Sequence, residues 1–272
     1  GNFTWLNNKV TSTGIVQDDG TPGVWSGGGD WRMLPWAYQT CVGGPLNQFY
    51  IIKTNGIIKN DADLKKAQAA QPNAQLGDLW FVDANNDNKI DEKDRQYCGS
   101  ATPKYTFALS GGFTWKNLSV DIMFQGVAGS QIYYPGKSMI LSDVEGNFNR
   151  STEILNAWSP TNTGSDIPRL SKNDPNGNWN TASDYFLEKG DYIRLKNLTV
   201  GYDFTSLIRK CSPSLAAGGT TLSAYISGEN LFTITKYSGM DPECGGFDTL
   251  TYPMSRVISI GVKLNLGCGK KK

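Results

Sequence analysis

The chain of 272 residues contains no histidine. That absence removes imidazole base catalysis, Ser-His-Asp arrangements and His-ligated metal centres from the chemistry open to it. No run approaches the roughly 18 apolar residues of a membrane-spanning helix, and the first residues do not read as a basic, then apolar, leader. A helical membrane protein is thereby excluded. A barrel is not, because its strands alternate and leave only a weak hydropathy signal. Charge of one sign is missing too: 26 Lys and Arg face 25 Asp and Glu, mixed along the chain. Without a basic stripe, no nucleic-acid partner is expected. There is no Cys-x-x-Cys pair, no Gly-x-Ser-x-Gly elbow, no internal repeat and no low-complexity tract. The five cysteines (Cys41, Cys98, Cys211, Cys244 and Cys268) are odd in number and widely spaced. They read as isolated thiols, since a chain this long has no need of covalent staples.

What is present is glycine and aromatics: 31 Gly, 12 Tyr, 11 Phe and 8 Trp, the mark of many strands and turns. Six segments alternate as strands do. In 105–115, Phe107, Leu109, Phe113 and Trp115 share a face. In 118–125, Leu118, Val120, Ile122 and Phe124 lie opposite Ser119, Asp121, Met123 and Gln125. The two-residue link Lys116-Asn117 makes these a tight hairpin. The segment 192–204 ends with Leu198, Val200, Tyr202 and Phe204 on one face. The segment 221–232 sets Leu222, Ala224 and Ile226 against Ser223, Tyr225 and Ser227. The segment 255–266 sets Ile258, Ile260, Val262 and Leu264 against Ser259, Gly261 and Lys263. The segment 2–12 is weaker. Each is close to the roughly 9–11 residues of a tilted strand crossing a bilayer.

Connections between them alternate in length. The links 116–117 and 205–220 are short, whereas 13–103, 126–191 and 233–254 are long. Membrane barrels pair short periplasmic turns with long extracellular loops. Placing Lys116-Asn117 in the periplasm puts the three long stretches outside and the C-terminus in the periplasm. Stretches this long must carry folded structure of their own. Short helices are expected at 61–70 and 151–158, the second capped by Ser151 or Thr152 and stopped before Pro160. Residues 1–266 thus read as one barrel portion with external loops, and 267–272 as a flexible tail.

The sharpest local pattern runs from Asp83 to Asp94. Asp83, Asn85 and Asp87 stand at positions 1, 3 and 5, the Lys89 carbonyl at 7 and Asp94 at 12, which is the spacing of an EF-hand calcium loop. Ca²⁺ is a hard cation that takes six to eight oxygens, and alternating Asp and Asn aim theirs at one centre. Position 6 is Asn88 rather than Gly, and position 12 is Asp rather than Glu. A structural Ca²⁺ site is expected here, not a sensor, because no amphipathic helix pair flanks it. The run from Trp25 through Trp31 and Trp36 to Tyr38 reads as loop packing or an interfacial belt; a substrate contact is the sharper alternative. Asp241 and Glu243 have a spacing open to acid–base work, and read as a solvated loop.

Several blocks together resemble one family. Val42 to Tyr50 followed by Lys53-Thr-Asn-Gly-Ile57 is similar to a loop of SusC-like transporters, the RagA type included. So is Gly77-Asp78 through Phe81-Val82-Asp83, the acidic loop, Asp94-Arg95, and Gly99 to Pro103-Lys104-Tyr105. Phe124-Gln-Gly-Val-Ala-Gly129, Trp158-Ser-Pro160 with Ile167-Pro-Arg169, Tyr192-Ile-Arg194, Asn230-Leu-Phe232, Lys236-Tyr237 and Asp241-Pro-Glu243 follow in the same order. The resemblance covers about Val42 to Leu266. It implies an all-β fold, an antiparallel transmembrane β-barrel segment of about six C-terminal strands from a plugged barrel of 22. It further implies a nutrient importer of the Gram-negative outer membrane rather than an enzyme. The expected partners are TonB, a SusD-like surface lipoprotein, outer-membrane lipid and the rest of the barrel and plug; oligosaccharides or peptides are the expected cargo. Six strands cannot close alone, since the smallest bacterial barrels have eight. The last strand ends Leu264-Asn-Leu266, where the family has an aromatic residue. The other reading open to the residues is a soluble, secreted, calcium-stabilised carbohydrate-binding β module.

Overall fold

The computed structural model describes residues 1–14, 23–27, 37–144, 149–217 and 219–266. Along the chain come β1 (Asn2–Trp5), β2 (Gly23–Gly27), β3 (Tyr38–Cys41), β4 (Gln48–Ile52), β5 (Thr54–Ile57), α1 (Asp61–Ala67), β6 (Leu79–Phe81) and β7 (Arg95–Ser100). The longer strands β8 (Tyr105–Trp115) and β9 (Leu118–Ala128) follow. Next are β10 (Gln131–Tyr133), α2 (Gly136–Leu141), β11 (Leu187–Lys189) and β12 (Tyr192–Asp203). Two short helices, α3 (Thr205–Cys211) and α4 (Pro213–Ala217), lead to β13 (Thr221–Thr235) and β14 (Val257–Asn265).

One antiparallel sheet of six strands, in the order β1-β8-β9-β12-β13-β14, is the frame. Directly paired residues of antiparallel strands point to the same side, so the register assigns every side chain to a face. Phe107 pairs with Gly126, Gly126 with Ile193, and Ile193 with Ile234. Phe113 pairs with Val120, Val120 with Val200, Val200 with Ile226, and Ile226 with Ile260. Each row on this face is apolar on every strand it crosses. The opposite face carries Ser110, Asp121, Gln125, Thr199, Ser227, Ser259 and Lys263.

Much of the apolar face is bare, most of all on β8 and β14. Leu109 is 62% exposed, Ile258 65%, Ile260 79% and Val262 69%. An uncovered apolar surface of this extent belongs against lipid or another protein, not water. Its height decides between them. The eleven residues of β8 at about 3.3 Å each, tilted by about 45°, rise about 25 Å, the height of the apolar band of a membrane barrel. Aromatic residues sit at both ends: Trp115 and Tyr202 at one, Trp5 and Tyr105 at the other. They fit the interfacial girdles of such a band.

The strands differ from the sequence expectation in instructive ways. Alternation in β12 changes frame at Lys196: Ile193 and Leu195 are apolar at odd numbers, then Leu198, Val200 and Tyr202 at even ones. A β-bulge between Leu195 and Asn197 absorbs the extra residue and keeps both sets on one face. A second irregularity in β13, with Asn230 at φ 52, lets that strand run on to Thr235 rather than stop at 232. The 2–12 strand is only Asn2–Trp5, paired to the first residues of β8. Asn117 Nδ2 donates to Ser206 Oγ at 2.8 Å, and Thr221 pairs with Asn265. Both short links and the end of β14 therefore share one end of the sheet.

At the other end, the long stretches fold as expected of them, and more fully. They form a four-stranded sheet β2-β3-β4-β7 and the pairs β5-β6 and β10-β11. Tyr38, Phe49, Ile51, Tyr133, Trp179 and Phe186 share one core, with Phe247 packed against it, so all three stretches contribute. The helix at 61–70 is shorter, α1 ending at Ala67; Asn60 caps it by accepting from the Asp63 N–H at 2.9 Å. The 151–158 helix is a 3₁₀ turn, Thr152–Asn156, with Ser151 as its cap. Proline at 160 leaves no room for an α-turn to propagate. No helix among the described residues is long and apolar enough to cross a membrane.

An arginine introduced at mid-height should separate the faces. Ile122→Arg should cost about 2–4 kcal/mol, and Ser110→Arg less than about 1 kcal/mol, read as the unfolding midpoint of the detergent-solubilised protein. The reverse ranking would mean that the polar face, and not the apolar one, lies in apolar surroundings.

Candidate functional site

The polar face and the folded loops meet around Arg194 of β12. Its backbone register points it to the polar side, and its side chain is 3% exposed. Nη2 donates to Asp241 Oδ1 at 2.5 Å, Nη1 to Glu243 Oε2 at 2.8 Å, and Nε to Thr233 Oγ1 at 2.8 Å. The guanidinium also lies over the Tyr192 ring, 5.6 Å from its centroid. Lys196, the bulge residue, reaches Glu243 at 3.3 Å. Two cations thus face two carboxylates with no charge left over.

Burial acts to raise the Asp241 carboxyl, but the Glu243 and Met254 N–H groups and Arg194 outweigh it and hold it below the ordinary range. Both backbone bonds come from the loop between β13 and β14, so the pair folds that loop onto the polar face. Asp241 and Glu243 are accordingly neither an acid–base pair nor a solvated loop. They are the anionic half of a clamp. Their cation stands 47 residues away, which local spacing cannot reveal.

A cleft of about 450 Å³ opens beside this clamp, lined by Asn47, Thr102, Gln131, Tyr192, Glu243 and Gly246 among others. Its wall combines amides, hydroxyls and an aromatic ring. Deeper in the loop domain, Asp78 is fully buried and ion-paired with Arg169; it accepts from Arg169 Nη2 at 3.2 Å, Asn178 Nδ2 at 2.9 Å and the Gln75 N–H at 2.8 Å. Asp174 accepts from the N–H groups of Asn178 and Trp179 at 2.8 Å each. Segments around 78, 169 and 178 are thereby tied in one network.

The acidic loop is wound tightly. Asp83 accepts from the N–H of Asp87 at 3.2 Å and of Asn88 at 2.8 Å; Asn85 Oδ1 accepts from Asp87 N–H at 3.0 Å. Asn86 and Asn88 adopt φ 59 and 61, so Asn88 takes the left-handed turn for which glycine is usual at position 6. Asp94 is fully buried and accepts from the Ala84 N–H at 2.8 Å and the Asp91 N–H at 2.9 Å, closing the loop onto itself. Among the described residues, no three acidic or thiol side chains converge as metal ligands. Any cation here would have to draw on a mixed set, with the Asn85 amide and the Lys89 carbonyl beside the carboxylates.

Among the described residues four cysteines are free: Cys41, Cys98, Cys211 and Cys244. Burial pushes the Cys98 and Cys244 thiols up to about 11, keeping both protonated near neutrality. Cys211 is exposed. Cys268 and the tail 267–272 lie outside the described residues, as do 28–36 of the aromatic run. Tyr38 at the end of that run is buried, its hydroxyl donating to the Gly246 carbonyl at 2.6 Å.

No family profile matches the chain. Curated proteins do. TonB-dependent receptor P3 of Formosa agariphila is 28% identical over 236 residues, covering 82% of this chain and 22% of that protein. TonB-dependent receptor SusC of Bacteroides thetaiotaomicron is 28% identical over 269 residues, covering 97% of this chain and 24% of that one. The chain thus spans about a quarter of the length of these relatives. Among solved structures, the RagAB peptide transporter superposes with a TM-score of 0.67 at 24% identity, over 90% of this chain and 24% of the other. The RagAB peptide importer in its closed-closed state gives 0.62 at 26% identity, over 84% and 24%.

Removing the buried cation tests the clamp. Arg194→Ala should cost about 3–5 kcal/mol by stranding Asp241, with faster amide exchange confined first to 236–256; Lys196→Ala should cost under about 1 kcal/mol. The pH dependence has a fixed sign. Asp241's folded value lies below its unfolded one, about 3.9, so its contribution is complete above that range. It is lost as pH falls through the lower folded value. Protection factors in 236–256, corrected for the intrinsic exchange rate, that hold as pH falls below about 4 and drop instead between pH 7 and 9 would contradict this.

Proposed function

This chain is related over nearly its whole length to the SusC/RagA-like TonB-dependent receptors, and on that premise we propose that it forms part of the wall and external domain of an outer-membrane importer. The observation that carries the reading is the single apolar face running unbroken across six strands while the other face stays polar. In lipid the first is covered by acyl chains, and the second turns to a water-filled or plugged lumen. The remaining strands of a 22-strand barrel, its plug and its TonB contact would come from outside the residues present here. A soluble carbohydrate-binding module would leave this face in water, which weighs against that alternative.

Transport, not catalysis, is the proposed activity. The lumen side offers a charge-neutralised clamp and an amide- and hydroxyl-lined cleft, suited to passing neutral polar cargo such as oligosaccharides or peptides. The similar RagAB is a peptide transporter, which favours peptides. A SusD-like lipoprotein would meet the loop-bearing end. That end would face outward, and the end holding Lys116-Asn117, α3 and the close of β14 would lie in the periplasm.

Calcium belongs to the same proposal. Asp83, Asn85, Asp87, the Lys89 carbonyl and Asp94 would hold it, and the ion would supply a rigid cross-link in the 77–104 segment. The tight winding of the loop and the left-handed Asn88 support this fit. Replacing Asp83 and Asp87 by Ala should lower bound calcium in the complete receptor by about one ion and speed exchange in 77–104. Unchanged metal content sinks the assignment.

Orientation can be read with thiols. In a receptor with Cys268→Ser, a membrane-impermeant maleimide should miss Cys211 in intact cells and reach it after the outer membrane is permeabilised. Leu155→Cys, 83% exposed in the loop domain, should react in intact cells. Labelling of Cys211 from outside would overturn the proposed orientation.

A further inference from the structure

At the loop-bearing rim of the apolar face lies a groove of about 540 Å³. Ala128 of β9 keeps its floor low. Phe107 of β8 borders one side, and Ile193 of β12 with Ile234 of β13 the other, as the strand order requires. Ile193 is 42% exposed and Ile234 64%. The groove's polar end carries Lys189, Lys236 and Asp191.

The charges at that end are unequal in freedom. Asp191 Oδ1 already accepts from the Gly129 N–H at 2.7 Å and the Ser130 N–H at 3.2 Å, so its carboxylate is turned into the backbone. The neighbouring Glu188 is held by Lys137 and by both the hydroxyl and N–H of Ser238. Lys189 and Lys236 are exposed, and among the described residues neither has an ion-pair partner. Two free cations therefore stand directly above a groove that continues the apolar face.

We propose that this groove binds a phosphate-bearing acyl lipid of the surrounding membrane, with one chain lying between Phe107 and Ile234 and the phosphate held by Lys189 and Lys236. The inference rests on the membrane reading above and deepens it. A lysine above an apolar stripe at the bilayer surface contributes through attraction to anionic headgroups, and the two together favour an anionic over a zwitterionic lipid. A soluble anion would find the cations but no use for the groove. A soluble protein could not reach a face immersed in acyl chains.

The test is lipid titration of the complete detergent-extracted receptor by native mass spectrometry, with dioleoyl phosphatidylglycerol against dioleoyl phosphatidylcholine. The tightest phosphatidylglycerol should bind about fivefold more weakly on losing either lysine (Lys189→Gln or Lys236→Gln), and about 30-fold more weakly on losing both. Binding of phosphatidylcholine, whose phosphate is offset by its own ammonium, should weaken by less than about twofold, and Lys65→Gln, in α1 of the loop domain, should behave as the parent. Ala128→Phe, which raises the groove floor, should weaken both lipids. Excess inorganic phosphate should leave phosphatidylglycerol bound. Equal retention of the two lipids by the parent, full retention by the double variant, or displacement by inorganic phosphate would each overturn the site while leaving the membrane reading intact. A receptor that is soluble and lipid-free without detergent would overturn the membrane reading itself, and this site with it.

Discussion

A sheet with one face wholly apolar cannot leave that face in water, and in this chain the requirement falls on strands that hydrogen-bond to each other through rows of up to five residues. At about 25 cal/mol per Å² of apolar surface removed from water, a face this broad outweighs any local preference of the loops. Lipid imposes a second condition, that every backbone N–H and C=O be paired within the sheet. Continuous registers from β8 through β14 meet it in the interior. Close packing supports those registers. Gly126 leaves space that a Cβ could not share with the Phe107 ring and the Tyr192 carbonyl, and Gly261 does the same beneath the Tyr225 ring. Each pairs an aromatic ring with a glycine on the neighbouring strand.

The loops answer a different constraint. They lie at one end of the sheet and must be held near its mouth without the help of lipid. Their solution is an aromatic core reinforced by buried ion pairs, Asp78 with Arg169 and Asp241 with Arg194. Such pairs add little net stability over apolar packing, but leaving one partner alone is costly. They therefore fix which segment docks where. The Arg194 clamp is the joint between the two regions, since its cation belongs to a membrane-height strand and its anions to a loop.

The strands were legible in the sequence because alternation at period two is a local signal. Leu118, Val120, Ile122 and Phe124 declare a face without reference to anything distant, and the Lys116-Asn117 link declares its hairpin. Lys196 was not legible: a bulge looks like an interruption until the partner strands show the register resuming. The same holds for the site. The Asp83–Asp94 spacing can be read in one glance along the chain. The partnership of Asp241 with Arg194, or the core joining Tyr38 to Trp179 and Phe247, depends on contacts across tens to hundreds of residues. Short β-strands such as Leu79–Phe81 leave too few residues for any period to register.

The central claim is that the even-numbered residues of β14 face lipid and the odd-numbered ones do not. Spin labels placed singly from 257 to 265 in the complete protein, reconstituted in phospholipid, would report collisions with oxygen, which partitions into acyl chains, and with a charged nickel chelate, which stays in water. The account predicts that 258, 260, 262 and 264 favour oxygen and that 259, 261 and 263 favour or are shielded from the chelate without an oxygen preference. Equal access of the chelate to both sets would contradict it.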